Sequence, residues 1–190
     1  MKIKICGLFR ECDIDYINEA LPDYAGFVFA ESKRKVSESQ AYALSRRLSP
    51  SIKSVGVFVD NDISFIRNLL ERGIIDIVQL HGREDEEYMS AIGAPVIKAV
   101  RPGEFTKMNN YTVDFLLFDS PRAGSGEKFD WRLIPETEKP FFLAGGINSE
   151  NITEAMKLNP YAIDVSSGVE SDGVKDRRKI LEIVRSVRNG

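Results

Sequence analysis

Short apolar runs recur along the 190-residue chain about every 24 residues, each followed by turn formers and then by apolar residues at helical spacing. The runs are residues 2–6 (KIKIC), 25–30 (AGFVFA), 54–60 (SVGVFVD), 74–82 (IIDIVQLHG), 95–100 (PVIKAV), 115–119 (FLLFD), 140–146 (PFFLAGG) and 162–168 (AIDVSSG). They are short and mostly β-branched or aromatic, which predicts eight strands. Between them Ile14, Ile17, Ala20 and Leu21 mark one face of a first helix, and Ser37 caps a second over about 38–48, ended before Pro50. A third helix over about 63–72 stops at Gly73, and a fourth covers about 84–92. The fifth connection holds only a short helical segment near 104–109, and the sixth, 130–134, makes little more than one turn before Pro135. Helices over about 148–158 and 174–187 complete the alternation.

Strands alternating with helices argue for right-handed βαβ units and a parallel sheet, and eight is the number that closes a barrel. The predicted fold class is therefore α/β: a single, compact (β/α)8 TIM barrel over residues 1–190. About 24 residues per unit is short of the roughly 30 usual for such barrels, so helices 5 and 6 must be shortened. An open doubly wound sheet is the alternative, but its first βα turn, CGLFREC, lacks the Gly-x-Gly-x-x-Gly of a dinucleotide site.

Composition narrows the class of partner. With 26 basic and 29 acidic residues the net charge is −3, too small a field to recruit nucleic acid, although Lys33-Arg34-Lys35 suits one small anion. No run approaches the roughly 20 apolar residues of a membrane span, and the N-terminus lacks the apolar core of a signal peptide. The expectation is a cytoplasmic protein without membrane partners, whose cysteines Cys6 and Cys12 are free thiols.

In a closed barrel function sits at the C-terminal strand ends, here Cys6, the 33–35 loop, Asp60, His81, Arg101, Asp119, Gly145-Gly146 and Ser166-Ser167-Gly168. The glycine turns after the last two strands predict a phosphate site from Gly145, Gly146, Ser167 and Gly168; alternatively they merely turn the chain. Cys6 is either a small buried hydrophobe or, if nearby cations lower its pKa, a thiolate base. Cys12 reads as structural. Asp119 either caps the next turn or, once desolvated, stays protonated near neutrality as an acid, with Gly124-Ser125-Gly126 as a lid. A thiolate base and a carboxylic acid across one barrel mouth are the two parts of a proton-shifting isomerase. If Cys6 faces the mouth, strand parity turns Lys4, Gln79 and Asp164 inward. A buried lysine needs a partner, so Lys4 is expected beside Asp164 with Lys98 as a further neighbour; a purely stabilising role for the pair fits equally.

In these residues the chain resembles the phosphoribosylanthranilate isomerases of tryptophan biosynthesis. The likeness rests on Lys4-Ile5-Cys6-Gly7, Gly26-Phe27-Val28-Phe29, Ser32-Lys33-Arg34, Val55-Gly56-Val57-Phe58-Val59, Gln79-Leu80-His81-Gly82 and Ile97-Lys98-Ala99-Val100. It continues through residues 116–131, Ala144-Gly145-Gly146-Ile147-Asn148 and Asp164-Val165-Ser166-Ser167-Gly168-Val169-Glu170, and so covers the whole chain. The resemblance implies a (β/α)8 barrel that converts N-(5'-phosphoribosyl)anthranilate to 1-(2-carboxyphenylamino)-1-deoxyribulose 5-phosphate by an Amadori rearrangement, with no metal or organic cofactor. It implies Asp119 as general acid at the ribose ring oxygen, Cys6 as the base at C2 of the sugar, and Arg34 on the anthranilate carboxylate. His81 and Asp164 join Arg34 as substrate contacts, and the partner is a small phosphosugar, handled by a monomer with a homodimer as the alternative. The region 102–113 is compressed against the family pattern, which puts helix 5 in doubt. A related histidine-pathway isomerase that uses carboxylates for both acid and base is disfavoured by Cys6. A phosphosugar-binding barrel without turnover is disfavoured by Cys6, Arg34 and Asp119 together.

Overall fold

The computed structural model describes residues 1–106, 111–120 and 130–190. Eight apolar runs form eight parallel strands: β1 (Lys2–Cys6), β2 (Tyr24–Val28), β3 (Lys53–Phe58), β4 (Ile77–Leu80), β5 (Val96–Val100), β6 (Phe115–Phe118), β7 (Phe141–Leu143) and β8 (Ala162–Val165). Each pairs with the next in sequence and β8 returns to β1, closing the barrel. A closed sheet buried on both faces sends alternate side chains into two cores. Tyr24, Val55, Ile77, Ile97, Leu117, Phe142 and Ala162 fill the interior. Ile3, Ile5, Phe27, Val78, Leu116, Phe118 and Ile163 pack outward with the helices.

The helices are α1 (Glu11–Ala20), α2 (Glu38–Ser45), α3 (Ile63–Glu71), α4 (Glu86–Ser90), α5 (Ile152–Lys157) and α6 (Arg177–Asn189). Ser37, Asp62, Asp85 and Asp176 cap α2, α3, α4 and α6 by accepting backbone N–H groups that the first turn leaves unpaired. In the first turn of α1 the buried Asp13 accepts from the backbone of Phe9 and Arg10 and from the Arg10 guanidinium, which sets the exit from β1. The longest helix, α6, buries Ile180, Ile183, Val184 and Val187, one face at helical spacing. Each such aliphatic side chain contributes about 1.5–3 kcal/mol on burial.

Three expectations change. The strands stop earlier than their apolar runs, so Phe29, His81, Asp119, Gly145 and Ser166 stand in the loops beyond the strand ends. Among the described residues of the sixth connection the helical part is a single 3-10 turn, Trp131–Leu133, capped by Asp130; the segment expected near 104–109 runs onto 107–110, outside the described residues. The last helix begins at Arg177 rather than at 174, because Val174–Lys175 (β10) pairs antiparallel with Glu170–Ser171 (β9). Asp172 and Gly173 both take positive φ, 52° and 79°, the conformation a two-residue hairpin turn of matching twist requires. Among the described residues no helix is long and apolar enough to cross a membrane. Both cysteines are free thiols.

Candidate active site

The carboxyl ends of the strands enclose a cavity of about 190 Å³ lined by Cys6, Arg34, His81, Asp119, Asp164, Gly145, Gly146 and Ser167. Gly168 lies behind this wall: a Cβ there would stand 1.9 Å from the Ile147 carbonyl oxygen, so the residue is where the turn after β8 closes on the turn after β7. Gly145 and Gly146 adopt φ of 86° and 65°, open to glycine at no steric cost. Asn151 stitches that turn, accepting from the Asn148 N–H and donating to the Gly146 carbonyl. Gly124, Ser125 and Gly126 lie outside the described residues.

At the floor of the cavity Lys4 and Asp164 are register partners on β1 and β8, and the Lys4 ammonium donates to Asp164 Oδ2 at 2.8 Å with the lysine fully buried. Burial alone would lower the Lys4 pKa, but Asp164 and Cys6 outweigh it and hold the lysine charged. Asp164 Oδ1 is buried with no protein partner among the described residues, an acceptor left open on the cavity wall. Lys98 does not join this pair. Ile97 and Ala99 point into the barrel, so Lys98 points outward, where it donates to Glu84 at 2.7 Å and to the Gly82 carbonyl at 2.8 Å.

Beyond β4, His81 Nε2 lies 2.8 Å from the Gln79 amide nitrogen. Burial pushes the imidazole pKa down to about 3, with Lys4, Arg101 and Lys98 adding to the effect, so His81 is neutral near physiological pH. Arg101 donates to the His81 carbonyl at 3.0 Å, and Asp60 accepts from the Arg83 N–H. Neither lines the cavity; both brace loops around it.

Asp119 follows β6 directly and is only 7% exposed, its Oδ1 accepting the Ser120 N–H at 2.7 Å. Burial pushes this carboxyl up to about 6, and Asp164 adds to the rise against the Ser120 N–H, Lys4 and Arg101. Three strands away around the ring, Cys6 sits at the tip of β1, and a Cβ on Gly26 would come within 2.7 Å of its sulfur. Glycine there makes room for the thiol. Burial raises the Cys6 pKa; Lys4 and Lys175 oppose this without prevailing. The resting site therefore holds a thiol, and the condition under which Cys6 would rest as a thiolate, a pKa lowered by neighbouring cations, is not met.

Arg34 reaches the cavity with Nε and Nη2 donated to Glu170 at 2.6 and 2.8 Å. Sequence reasoning named Glu170 only within a motif and assigned Lys175 to a helix. In the hairpin the Lys175 ammonium is buried, donating to Glu170 at 2.6 Å and to the Ser166 carbonyl at 3.0 Å. Asp172-Gly173, a two-residue hairpin signal, was the feature that could have revealed it.

Acid–base side chains gathered at the strand tips of a closed parallel barrel place this chain in the class of (β/α)8 enzymes. Residues 3–186 match the family model described as N-(5'phosphoribosyl)anthranilate (PRA) isomerase. The chain is 51% identical to the N-(5'-phosphoribosyl)anthranilate isomerase of Endomicrobium trichonymphae over 99% of this chain and 98% of that one. It superposes on the phosphoribosyl anthranilate isomerase of Thermus thermophilus with a TM-score of 0.91 at 34% identity, covering 100% and 99% of the two chains. A second such isomerase, solved with reduced 1-(o-carboxyphenylamino)-1-deoxyribulose 5-phosphate, superposes with a TM-score of 0.85 at 32% identity over the whole of both chains. The chain belongs to the N-(5'-phosphoribosyl)anthranilate isomerases, enzymes of tryptophan biosynthesis.

Proposed function

We propose that the isomerisation of N-(5'-phosphoribosyl)anthranilate is carried by Asp119 as general acid and Cys6 as general base. The observation that carries this reading is the Asp119 carboxyl, held up to about 6 by burial on the same cavity wall as a thiol. A carboxyl of that kind delivers a proton near neutral pH, as an ordinary exposed aspartate does not. Asp119 gives its proton to the ribose ring oxygen while the anthranilate nitrogen lone pair expels it, opening the ring to a Schiff base. Cys6, as thiolate, removes the proton from C2 of the sugar, and its electron pair neutralises the iminium as an enolamine. Tautomerisation of the enolamine, which moves the proton of the C2 hydroxyl to C1, gives the ketone, and passage of the proton held by Cys6 through solvent to Asp119 restores the starting state.

The remaining residues suit three parts of one substrate. The planar Arg34 fork fits the anthranilate carboxylate, and the open Asp164 Oδ1 fits a sugar hydroxyl donor. The turns at Gly145, Gly146 and Ser167 suit the phosphate, with Gly168 shaping the approach, and neutral His81 serves as a hydrogen-bonding wall. The product analogue bound by the related isomerase carries the same carboxylate, sugar hydroxyls and phosphate, which supports this division. On this reading residues 1–190 act as one cytoplasmic domain, a monomer, on a small phosphosugar.

Loss of phosphoribosylanthranilate fluorescence with the pure protein tests the assignment. Cys6→Ala and Asp119→Asn should each lower kcat by at least about 10²-fold, the lower end of a general acid–base contribution. An Asp119→Asn variant turning over at the wild-type rate refutes the acid assignment.

A further inference from the structure

The β9–β10 hairpin supplies two buried charges that are neither the acid nor the base of the proposed reaction. Glu170 and Lys175 are cross-strand partners, 7% and 0% exposed in their side chains. Glu170 Oε1 accepts from both the Lys175 ammonium and Arg34 Nε at 2.6 Å, and its Oε2 accepts from Arg34 Nη2 at 2.8 Å. The Arg34 stem is confined from the other side, since a Cβ on Gly7 would stand 2.4 Å from Arg34 Cδ. The hairpin itself is tied down at three points. Arg10 Nη2 donates to the Lys175 carbonyl at 2.8 Å, Lys175 Nζ reaches the Ser166 carbonyl on the β8 loop, and Lys179 Nζ donates to the Glu170 carbonyl at 2.6 Å.

Two of the three guanidinium nitrogens are thus engaged by Glu170, which leaves the Nη1 edge as the donor surface toward a ligand. An arginine side chain free to rotate loses much of the entropy of its several rotamers when it binds; one already clamped does not. Lys175 adds a second cation on Glu170, keeping the carboxylate ionised and in place against its own desolvation.

We propose that Glu170 and Lys175 are positioning residues that pre-orient Arg34 for the aromatic carboxylate of the substrate. This rests on the assignment of Arg34 made above. A double-mutant cycle between Arg34→Ala and Glu170→Gln, read as KM and kcat for phosphoribosylanthranilate, tests it. Glu170→Gln should raise KM about tenfold or more, the scale of one charge-assisted hydrogen bond, with a smaller change in kcat. In the Arg34→Ala background the same substitution should change KM less than about twofold, because the group it acts through is gone. Equal KM factors in both backgrounds, or no KM change for Glu170→Gln alone, overturn the proposal while leaving Arg34 in its role. An unaltered KM for Arg34→Ala overturns the role of Arg34 and the proposal with it. Should Glu170→Gln fail to fold, Lys175→Met in the same cycle gives the same readout, a KM rise that disappears without Arg34.

Discussion

Replacing Asp119 by asparagine should stabilise the protein while inactivating it, and by an amount that depends on pH. The folded carboxyl titrates at about 6 and the unfolded one at 3.8, because burial and the charge of Asp164 penalise ionisation. The folded state therefore binds more protons than the unfolded chain across that window. Stability from this group is fully present below 3.8 and is lost as pH rises through 6. Integrating the linkage relation gives a penalty of about 2 kcal/mol at pH 5 and about 3 kcal/mol at pH 8. Asparagine does not ionise, and its amide oxygen can still accept the Ser120 N–H. Whatever the amide contributes otherwise is independent of pH and cancels between the two conditions. Urea unfolding of both proteins at pH 5 and pH 8 should show the advantage of Asp119→Asn over wild type growing by about 1 kcal/mol. An advantage that is flat or shrinks with pH means that Asp119 ionises in the ordinary range, and the argument for it as an acid near neutrality fails.

Lys4→Met should destabilise by about 3–5 kcal/mol in denaturant unfolding, because it strands the buried Asp164 carboxylate without its cation. The double variant Lys4→Met/Asp164→Leu should recover most of that loss, and a single variant costing under about 1 kcal/mol would show that the pair is not load-sharing. The pH profile of kcat/KM should be level from about pH 6 to above pH 9, falling outside those limits, since Asp119 titrates at about 6 and the Cys6 thiol above its usual 9.0. His81 adds no limb near its usual 6.5 because it is already neutral there, and a limb at that pH removed by His81→Asn would contradict the burial argument.

How much of this was legible in the sequence depends on which physical signal each residue carries. The eight strands were legible because short apolar runs between helical spacings leave few alternatives, and closure followed from their number. Lys4 beside Asp164 followed from parity counted back from the strand tips. The same counting failed for Lys98, since β5 is buried on both faces and an all-apolar strand has no alternation to show which way its one lysine points. The hairpin was missed for a different reason. Val174 and Lys175 lie just ahead of a strongly amphipathic helix and were absorbed into its pattern, although Asp176 marked the true cap and Asp172-Gly173 the turn. The resting thiol was beyond sequence altogether, because it turns on whether burial or neighbouring charge dominates.

That competition also explains why the hairpin matters to the thiol at β1. The groups interacting with Cys6 are Lys4 on its own strand, Asp164 on β8, Lys175 on β10 and Arg34 in the loop after β2; Glu170 pairs with the last two. Lys4, Arg34 and Lys175 carry three positive charges against two negative ones on Asp164 and Glu170, one cation in surplus. A thiolate at Cys6 balances it. With the acid at about 6 and the thiol above 9.0, the form holding a protonated Asp119 and an ionised Cys6 is at most about one molecule in a thousand. Every unit by which the surplus cation lowers the thiol raises that fraction tenfold. If the substrate carboxylate binds at Arg34 as proposed, it offsets that surplus, and the buried ammonium groups of Lys4 and Lys175 are the cations that continue to favour the thiolate, Lys4 the more strongly.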